Sequence, residues 1–117
     1  MSVKILVEVS VGELLDKISI LEIKKDKIKD QDKLNYIIDE LNVLKDQLNK
    51  NVISDKILDV LFISLKEINS KLWVIEDDKR LCEKNSDFGE NFIKLSRDIH
   101  FLNDKRAKIK LEINNHT

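Results

Sequence analysis

The chain has 117 residues, 42% hydrophobic and 37% charged, and its net charge is −1, which fits one small helical domain with one core. Lysines and acidic residues are interspersed, which excludes the basic stripe of a general nucleic-acid binder, and no apolar run approaches the ~18 residues of a membrane span. One cysteine excludes an intrachain disulfide, and the lack of proline with only two glycines favours long helices.

The first predicted element is a short β-strand over residues 3–9. Its side chains alternate between two faces, one aliphatic and one mostly charged: Val3, Ile5, Val7 and Val9, against Lys4, Leu6 and Glu8. This period of two is typical of a strand. No other segment has it, so we expect the strand to pair with its copy in a second subunit or to lie along the helices as an extended arm.

Two helices follow the strand. The first is predicted over 10–29, because Ser10 and Glu13 have the spacing of a capping box in which each side chain bonds the other's backbone amide. The second is predicted over 32–49. The connection between them is short, so we expect an antiparallel hairpin.

Two longer helices complete the chain. The third is predicted over 55–84 with Ser54 as its cap, and it carries two apolar stripes, as a helix that packs on two sides does. Cys82 is expected in the core. A polar turn then leads to a fourth helix over 89–114, after which the last residues are expected to fray.

The predicted fold is therefore all-α. It consists of four helices arranged as two antiparallel hairpins, with a short N-terminal β-strand, in a single domain over 1–117. The strand without a partner and the length of the third and fourth helices indicate a homodimer.

Arg106 is the most informative residue in the sequence. It lies in the middle of the inward stripe of the fourth helix, and it is one of only three arginines among 21 basic residues. A guanidinium binds carboxylates and phosphates through two parallel hydrogen bonds, which lysine cannot do. We therefore expect Arg106 to face an acidic group inside the protein.

Six polar or aromatic residues on or beside the apolar stripes form the candidate site. They are Glu22, Trp73, Glu76, Arg80, Asn103 and Arg106. Because a buried charge needs a partner, we expect Arg106 to bond Glu22, Glu76 or both, with Asn103 taking its remaining donors. Trp73 and Arg80 would flank the group, with Arg80 paired to Glu76. Two interpretations stay open: a structural polar network, and a recess that binds an anionic ligand.

Motifs for catalysis or metal binding are weaker. Glu13 and Asp16, with Glu76 and Asp77, have some similarity to the Mg²⁺-binding carboxylates of all-helical nucleotide pyrophosphatases, but the spacing differs, and we expect no metal and no cofactor. The basic run at 24–29 favours a solvated helix end, with anion binding as the alternative. No complete catalytic motif is present, and whether the protein is an enzyme stays open.

Three segments resemble the signature blocks of a small bacterial helical domain family of unknown function. They are residues 7–24, 72–80 and 103–110. Members of that family accompany glycosyltransferase and surface-polysaccharide functions. The resemblance implies a bacterial source and a glycan context, and it supplies no catalytic residues.

The sequence agrees with two functions. The favoured one is a non-enzymatic interaction or accessory protein that assists surface-glycan biosynthesis, with a glycosyltransferase or another protein as its partner. The alternative is a small helical enzyme or binding protein for a phosphorylated or carboxylated ligand at the Arg/Glu/Trp recess. The N-terminus lacks the long apolar region of a signal peptide, so a cytoplasmic location is expected.

Overall fold

The computed structural model describes residues 2–117, and α-helices account for most of them. The four helices are α1 (Val11–Lys27), α2 (Gln31–Asn51), α3 (Lys56–Lys84) and α4 (Glu90–His116). The all-α prediction is confirmed, and every helix begins and ends within two residues of its predicted bounds. Within the described part of the chain, no helix is both long and apolar enough to cross a bilayer.

The start of α1 is fixed by its cap and by an ion pair. Ser10 is the N-cap, and its hydroxyl accepts a hydrogen bond from the Glu13 amide at 3.1 Å, as predicted. The reciprocal half of the capping box is absent among the described hydrogen bonds. Instead, the Glu13 carboxylate lies 2.5 Å from the ammonium of Lys110 on α4. A tertiary ion pair has replaced a local one, because the end of α4 lies beside this turn.

The start of α3 and the end of α4 differ from the prediction for one shared reason. Asp55, rather than Ser54, caps α3, and its carboxylate accepts from the Leu58 amide at 2.8 Å. The same carboxylate lies 2.8 Å from Nε2 of His116. The backbone amide of Leu58, then His116, lower the pKa of Asp55. Because Asp55 holds its last turn, α4 remains helical to His116, and the predicted fraying is wrong.

A close approach of α1 and α4 sets their relative position. The amide of Gly12 donates to Oδ1 of Asn114 at 2.7 Å. A Cβ at position 12 would lie only 2.6 Å from the carbonyl oxygen of Lys110. Glycine therefore permits the two backbones to meet here. One turn further along α1, Asp16 consequently faces α4.

The hydrophobic core is built around α1, which packs against each of the other three helices. Leu65 on α3 and Ile113 on α4 have no exposed surface, and Leu15 and Ile18 on α1 have about 1%. The stripes predicted from periodicity supply three further buried members of this cluster: Leu21, Ile37 and Leu41. On α3 the helical pattern favours Ile57 as an inward residue, but Ile57 is 58% exposed and Leu58 is buried in its place. Cys82 is also buried, as predicted.

The predicted strand at 3–9 is not formed in the single chain. Residues 2–10 have no regular secondary structure. Val3 is 87% exposed and Leu6 is 99% exposed, so the extended-arm alternative is also wrong. The physical reason is that a strand needs a neighbour to bond its backbone, and the remaining described residues form helices whose inward faces already pack on one another. Pairing with a second subunit stays a prediction.

Candidate functional site

A small polar cluster lies buried between α1 and α3. Asp16, Ser19 and Asn69 are only 4%, 0% and 5% exposed. The amide nitrogen of Asn69 donates to Oδ1 of Asp16 at 2.9 Å and to the hydroxyl of Ser19 at 2.7 Å. The Ser19 hydroxyl in turn donates to the backbone carbonyl of Asp16 at 2.7 Å. Among the described residues, no buried side-chain nitrogen or oxygen lacks a hydrogen-bond partner.

Arg106 on α4 completes this cluster. Its Nε donates to Oδ1 of Asp16 at 2.9 Å and its Nη2 to Oδ2 at 2.5 Å, which is the two-pronged geometry favoured by guanidinium and carboxylate. Its Nη1 donates to Asn103 at 3.4 Å, as expected. Arg106 therefore finds an acidic partner on another helix, but the prediction that this partner is Glu22 or Glu76 is wrong.

The charge state of Asp16 follows from its surroundings. Burial raises the pKa of its carboxyl, but hydrogen bonds from Arg106 and Asn69, with the charges of Arg106 and Lys110, outweigh burial and lower the pKa. The Lys110 ammonium lies 3.5 Å from Oδ2 of Asp16. The hydrogen bond to Asp16 also raises the pKa of Arg106, although desolvation opposes it. Both groups are therefore ionised at neutral pH.

Glu22 lies away from Arg106. Its two carboxylate oxygens point to lysines on different helices, 3.8 Å from Lys45 on α2 and 3.3 Å from Lys66 on α3. A helical wheel of α1 alone places Glu22 on the inward stripe correctly. It does not show that this part of the stripe faces α2 and α3 instead of α4.

A recess open to solvent lies beside the Asp16–Arg106 pair, with a volume of about 260 Å³. Four of the six predicted site residues line it: Trp73, Glu76, Arg80 and Arg106. Asn103 joins it indirectly, through its contact with Arg106. Glu22 does not contribute. The structure thus brings together the tryptophan, the two arginines and one acid, contributed by α3 and α4, and α1 closes the other wall through Ile20, Ile23 and Lys24.

The recess contains more positive than negative side chains. Lys24, Arg80 and Arg106 are its cations, and Glu76 and Asp77 are its acids. Arg80 pairs with Asp77 at 2.9 Å, so the predicted partner Glu76 is wrong. Asp16 lies behind Arg106 and does not line the recess. With Asp16 included, the three cations at the recess face three carboxylates, and Lys24 is the cation among them that has no ion pair within the described residues.

The comparisons with known proteins add one result to this geometry. The profile of a family of unknown function (DUF6165) matches residues 5–117. The chain belongs to this family. No curated protein and no solved structure matches it. No matched protein therefore indicates what the recess of this DUF6165 member binds.

The sequence does not predict the roles of three residues of the buried polar cluster. Asp16 is predicted only as one carboxylate of the weak metal-site similarity, and Ser19 has no predicted role. Asn69 lies on one of the two stripes predicted for the third helix, but the sequence does not indicate its partner. A signal for them exists in α1, where small Gly12 and Ser19 share a face with Asp16, since small residues allow a second helix to approach closely.

Three of the four carboxylates that resemble a metal site in the sequence form ion pairs in the structure. Glu13 pairs with Lys110, Asp16 with Arg106, and Asp77 with Arg80. Within residues 2–117, no group of three or more metal-ligating side chains is close enough to share an ion.

Proposed function

We propose that this protein is a non-enzymatic binding and accessory module whose recess beside Trp73 receives a phosphorylated or carboxylated compound. The observation that carries the proposal is the convergence of Trp73, Arg80 and Arg106 on one solvent-open recess. Recesses that combine an apolar wall with a few convergent polar groups are the usual form of a ligand site.

Arg106 supplies a donor whose orientation is already fixed. A guanidinium has five N–H donors. Asp16 and Asn103 engage three of them, and they hold the plane of the group at the wall of the recess. The two remaining donors support binding of an anionic oxygen. Little conformational entropy is lost on binding when the donor is held in place beforehand.

Trp73 supplies the apolar part of the site. It is half-buried and shares the recess with Ile20 and Leu72. An indole beside aliphatic side chains offers a flat surface for the body of a ligand, while its N–H can still donate. A compound with a ring or chain attached to its anionic group fits this lining better than a bare ion.

Lys24 and Arg80 supply two further cations at the recess. Lys24 has no ion pair among the described residues, and Arg80 is exposed. Both are long enough to close onto an anion. These cations would bind an anion by charge, with an affinity that falls as salt is added.

The accessory part of the proposal concerns the biological setting. We place the module alongside surface-glycan biosynthesis in a bacterial cytoplasm, with a glycosyltransferase or another protein as its partner. The basis is the resemblance of residues 7–24, 72–80 and 103–110 to signature blocks found in that context. A nucleotide sugar, with its diphosphate and its rings, has the chemistry that the recess favours.

The quaternary part of the proposal is a homodimer. A second copy would supply hydrogen-bond partners for the backbone of residues 3–9. Within each subunit, the short connections between α1 and α2 and between α3 and α4 support two antiparallel hairpins.

Binding is tested through Trp73, the only tryptophan in the chain. Its fluorescence is recorded while pyrophosphate, citrate or UDP-glucose is added. At least one probe should change the emission saturably. The variant Arg80→Gln should raise the dissociation constant of that probe by about tenfold, because one charge-assisted hydrogen bond is lost. Arg97→Gln, an exposed arginine outside the recess, is the matched control and should bind normally.

Two outcomes would contradict the proposal. If none of the three probes changes the emission, or if Arg97→Gln and Arg80→Gln weaken binding equally, the recess is not the site. If the purified protein converts UDP-glucose to products, it is an enzyme and not a binding module.

A further inference from the structure

We infer that residues 3–9 pair with the same residues of a second copy as antiparallel strands, about a twofold axis at Leu6. This inference rests on the proposed homodimer and names the surface and register through which it forms. It uses a different part of the chain from the recess, which no residue before Ile20 lines.

The first step is that this segment is fully available for pairing. The aliphatic face of the predicted strand is 59–87% exposed, although its side chains favour burial. It consists of Val3, Ile5, Val7 and Val9. Ser10 has φ −73° and ψ 162°, so the chain already leaves α1 in an extended conformation. Residues 2–10 contain no proline, and hence every backbone amide can donate to a neighbouring strand.

The second step is that the sequence is complementary to itself in one register. If Leu6 lies opposite its own copy in antiparallel strands, Lys4 lies opposite Glu8 of the partner, and Glu8 opposite Lys4. Two cross-strand ion pairs form on one face. On the other face, each aliphatic residue lies opposite another aliphatic residue.

The third step is that other registers lose this match. A shift of one residue places charged residues opposite aliphatic ones, because the aliphatic side of one strand then shares a face with the charged side of the other. A shift of two residues places Leu6 opposite Lys4 or Glu8. Parallel strands in register would bring each of Lys4 and Glu8 beside its own copy, where like charges repel.

Two paired strands alone are barely stable in water, so their aliphatic face needs a surface to pack against. The segment precedes α1, whose start contacts the end of α4 through the hydrogen bond from Gly12 to Asn114. The start of α3 lies at the same end of the bundle, because Asp55 bonds His116. Exposed aliphatic residues lie at or near this end: Ile53, Ile57 and Leu111, which are 94%, 58% and 58% exposed.

The register is tested by exchanging charges in the full-length chain and measuring dimerisation by sedimentation over a concentration series. Lys4→Glu alone places like charges opposite each other, and so does Glu8→Lys alone. Each should raise the dimer dissociation constant by about tenfold. The double variant K4E/E8K restores opposite charges and should dimerise nearly as the natural chain does. An equimolar mixture of the two single variants should do so as well, through mixed dimers.

The controls separate this inference from the others. Both side chains are exposed, and the segment is outside the helices, so circular dichroism should show unchanged helix content in every variant. A natural chain that stays monomeric would overturn both the dimer and the register. A dimer that tolerates the single charge changes would overturn the register alone. Trp73 emission reports the recess independently of either result.

Discussion

Replacing Arg106 with methionine should lower the free energy of unfolding by about 3 kcal/mol at neutral pH. Methionine keeps most of the apolar volume but leaves the Asp16 carboxylate, which is 4% exposed, without its two-pronged partner. Asn69 and Lys110 remain within reach of Asp16 and limit the loss. Urea denaturation followed by circular dichroism measures it.

The matched control is Arg97→Met on the same helix. Arg97 is exposed and forms no ion pair among the described residues, so its replacement should change the unfolding free energy by less than about 0.5 kcal/mol. Equal effects of the two substitutions would show that the Asp16–Arg106 pair does not stabilise the fold.

The cost of Arg106→Met should also depend on pH. In the natural chain the pKa of Asp16 is lowered, so its contribution to stability is present above the unfolded pKa and is lost as pH falls through the folded pKa. In the variant, the hydrogen bond and the charge of Arg106 no longer lower the pKa of Asp16, so this carboxyl is protonated at a higher pH than in the natural chain, and protonation relieves the penalty of its burial. Because the unfolded state is the same for both proteins, the difference in their stability should shrink as the pH falls from the higher folded pKa of Asp16 in the variant to the lower folded pKa in the natural chain.

Replacing Gly12 with alanine should lower the unfolding free energy by about 2 kcal/mol or more, although alanine is the better helix former. The added Cβ would lie 2.6 Å from the Lys110 carbonyl and 2.9 Å from Oδ1 of Asn114. Because the first of these atoms belongs to the backbone of α4, relief requires the two helices to separate. That movement would also pull Arg106 away from Asp16.

The second glycine is the control for this substitution. A Cβ at Gly89 would meet only the Asp87 carboxylate, at 3.4 Å, which is an ordinary contact. Gly89→Ala should cost no more than about 1 kcal/mol, as expected for a changed N-cap residue. Thermal unfolding of both variants gives the comparison, and a Gly12→Ala protein as stable as Gly89→Ala would show that the α1–α4 contact is not tight.

The helices and their inward faces could be predicted because they depend on local patterns. Apolar residues every three or four positions place Leu15, Ile18 and Leu65 in the core whatever the arrangement of the helices. The same pattern identified Arg106 as an inward-facing cation. Burial of a charge requires a partner, which is why an acid on another helix could be expected.

The identity of that acid could not be predicted, because it depends on how the helices are placed around α1. Glu22 and Asp16 both lie near the inward side of α1, six residues apart. The close contact of α1 with α4 at Gly12 and Asn114 brings Asp16, and not Glu22, to Arg106. The strand at 3–9 failed for a related reason. Its aliphatic and polar side chains do alternate, but a β-strand also needs backbone hydrogen bonds to a second strand, and the described part of the chain supplies none.

The most direct test of the proposed site is a nuclear magnetic resonance titration of the ¹⁵N-labelled protein with UDP-glucose. We expect the Trp73 indole resonance and the backbone amides around Lys24, Arg80 and Arg106 to shift together and saturate, while those around Arg97 do not move. Shifts confined to the surface around Arg97, or an unmoved Trp73 indole at millimolar ligand, would contradict it.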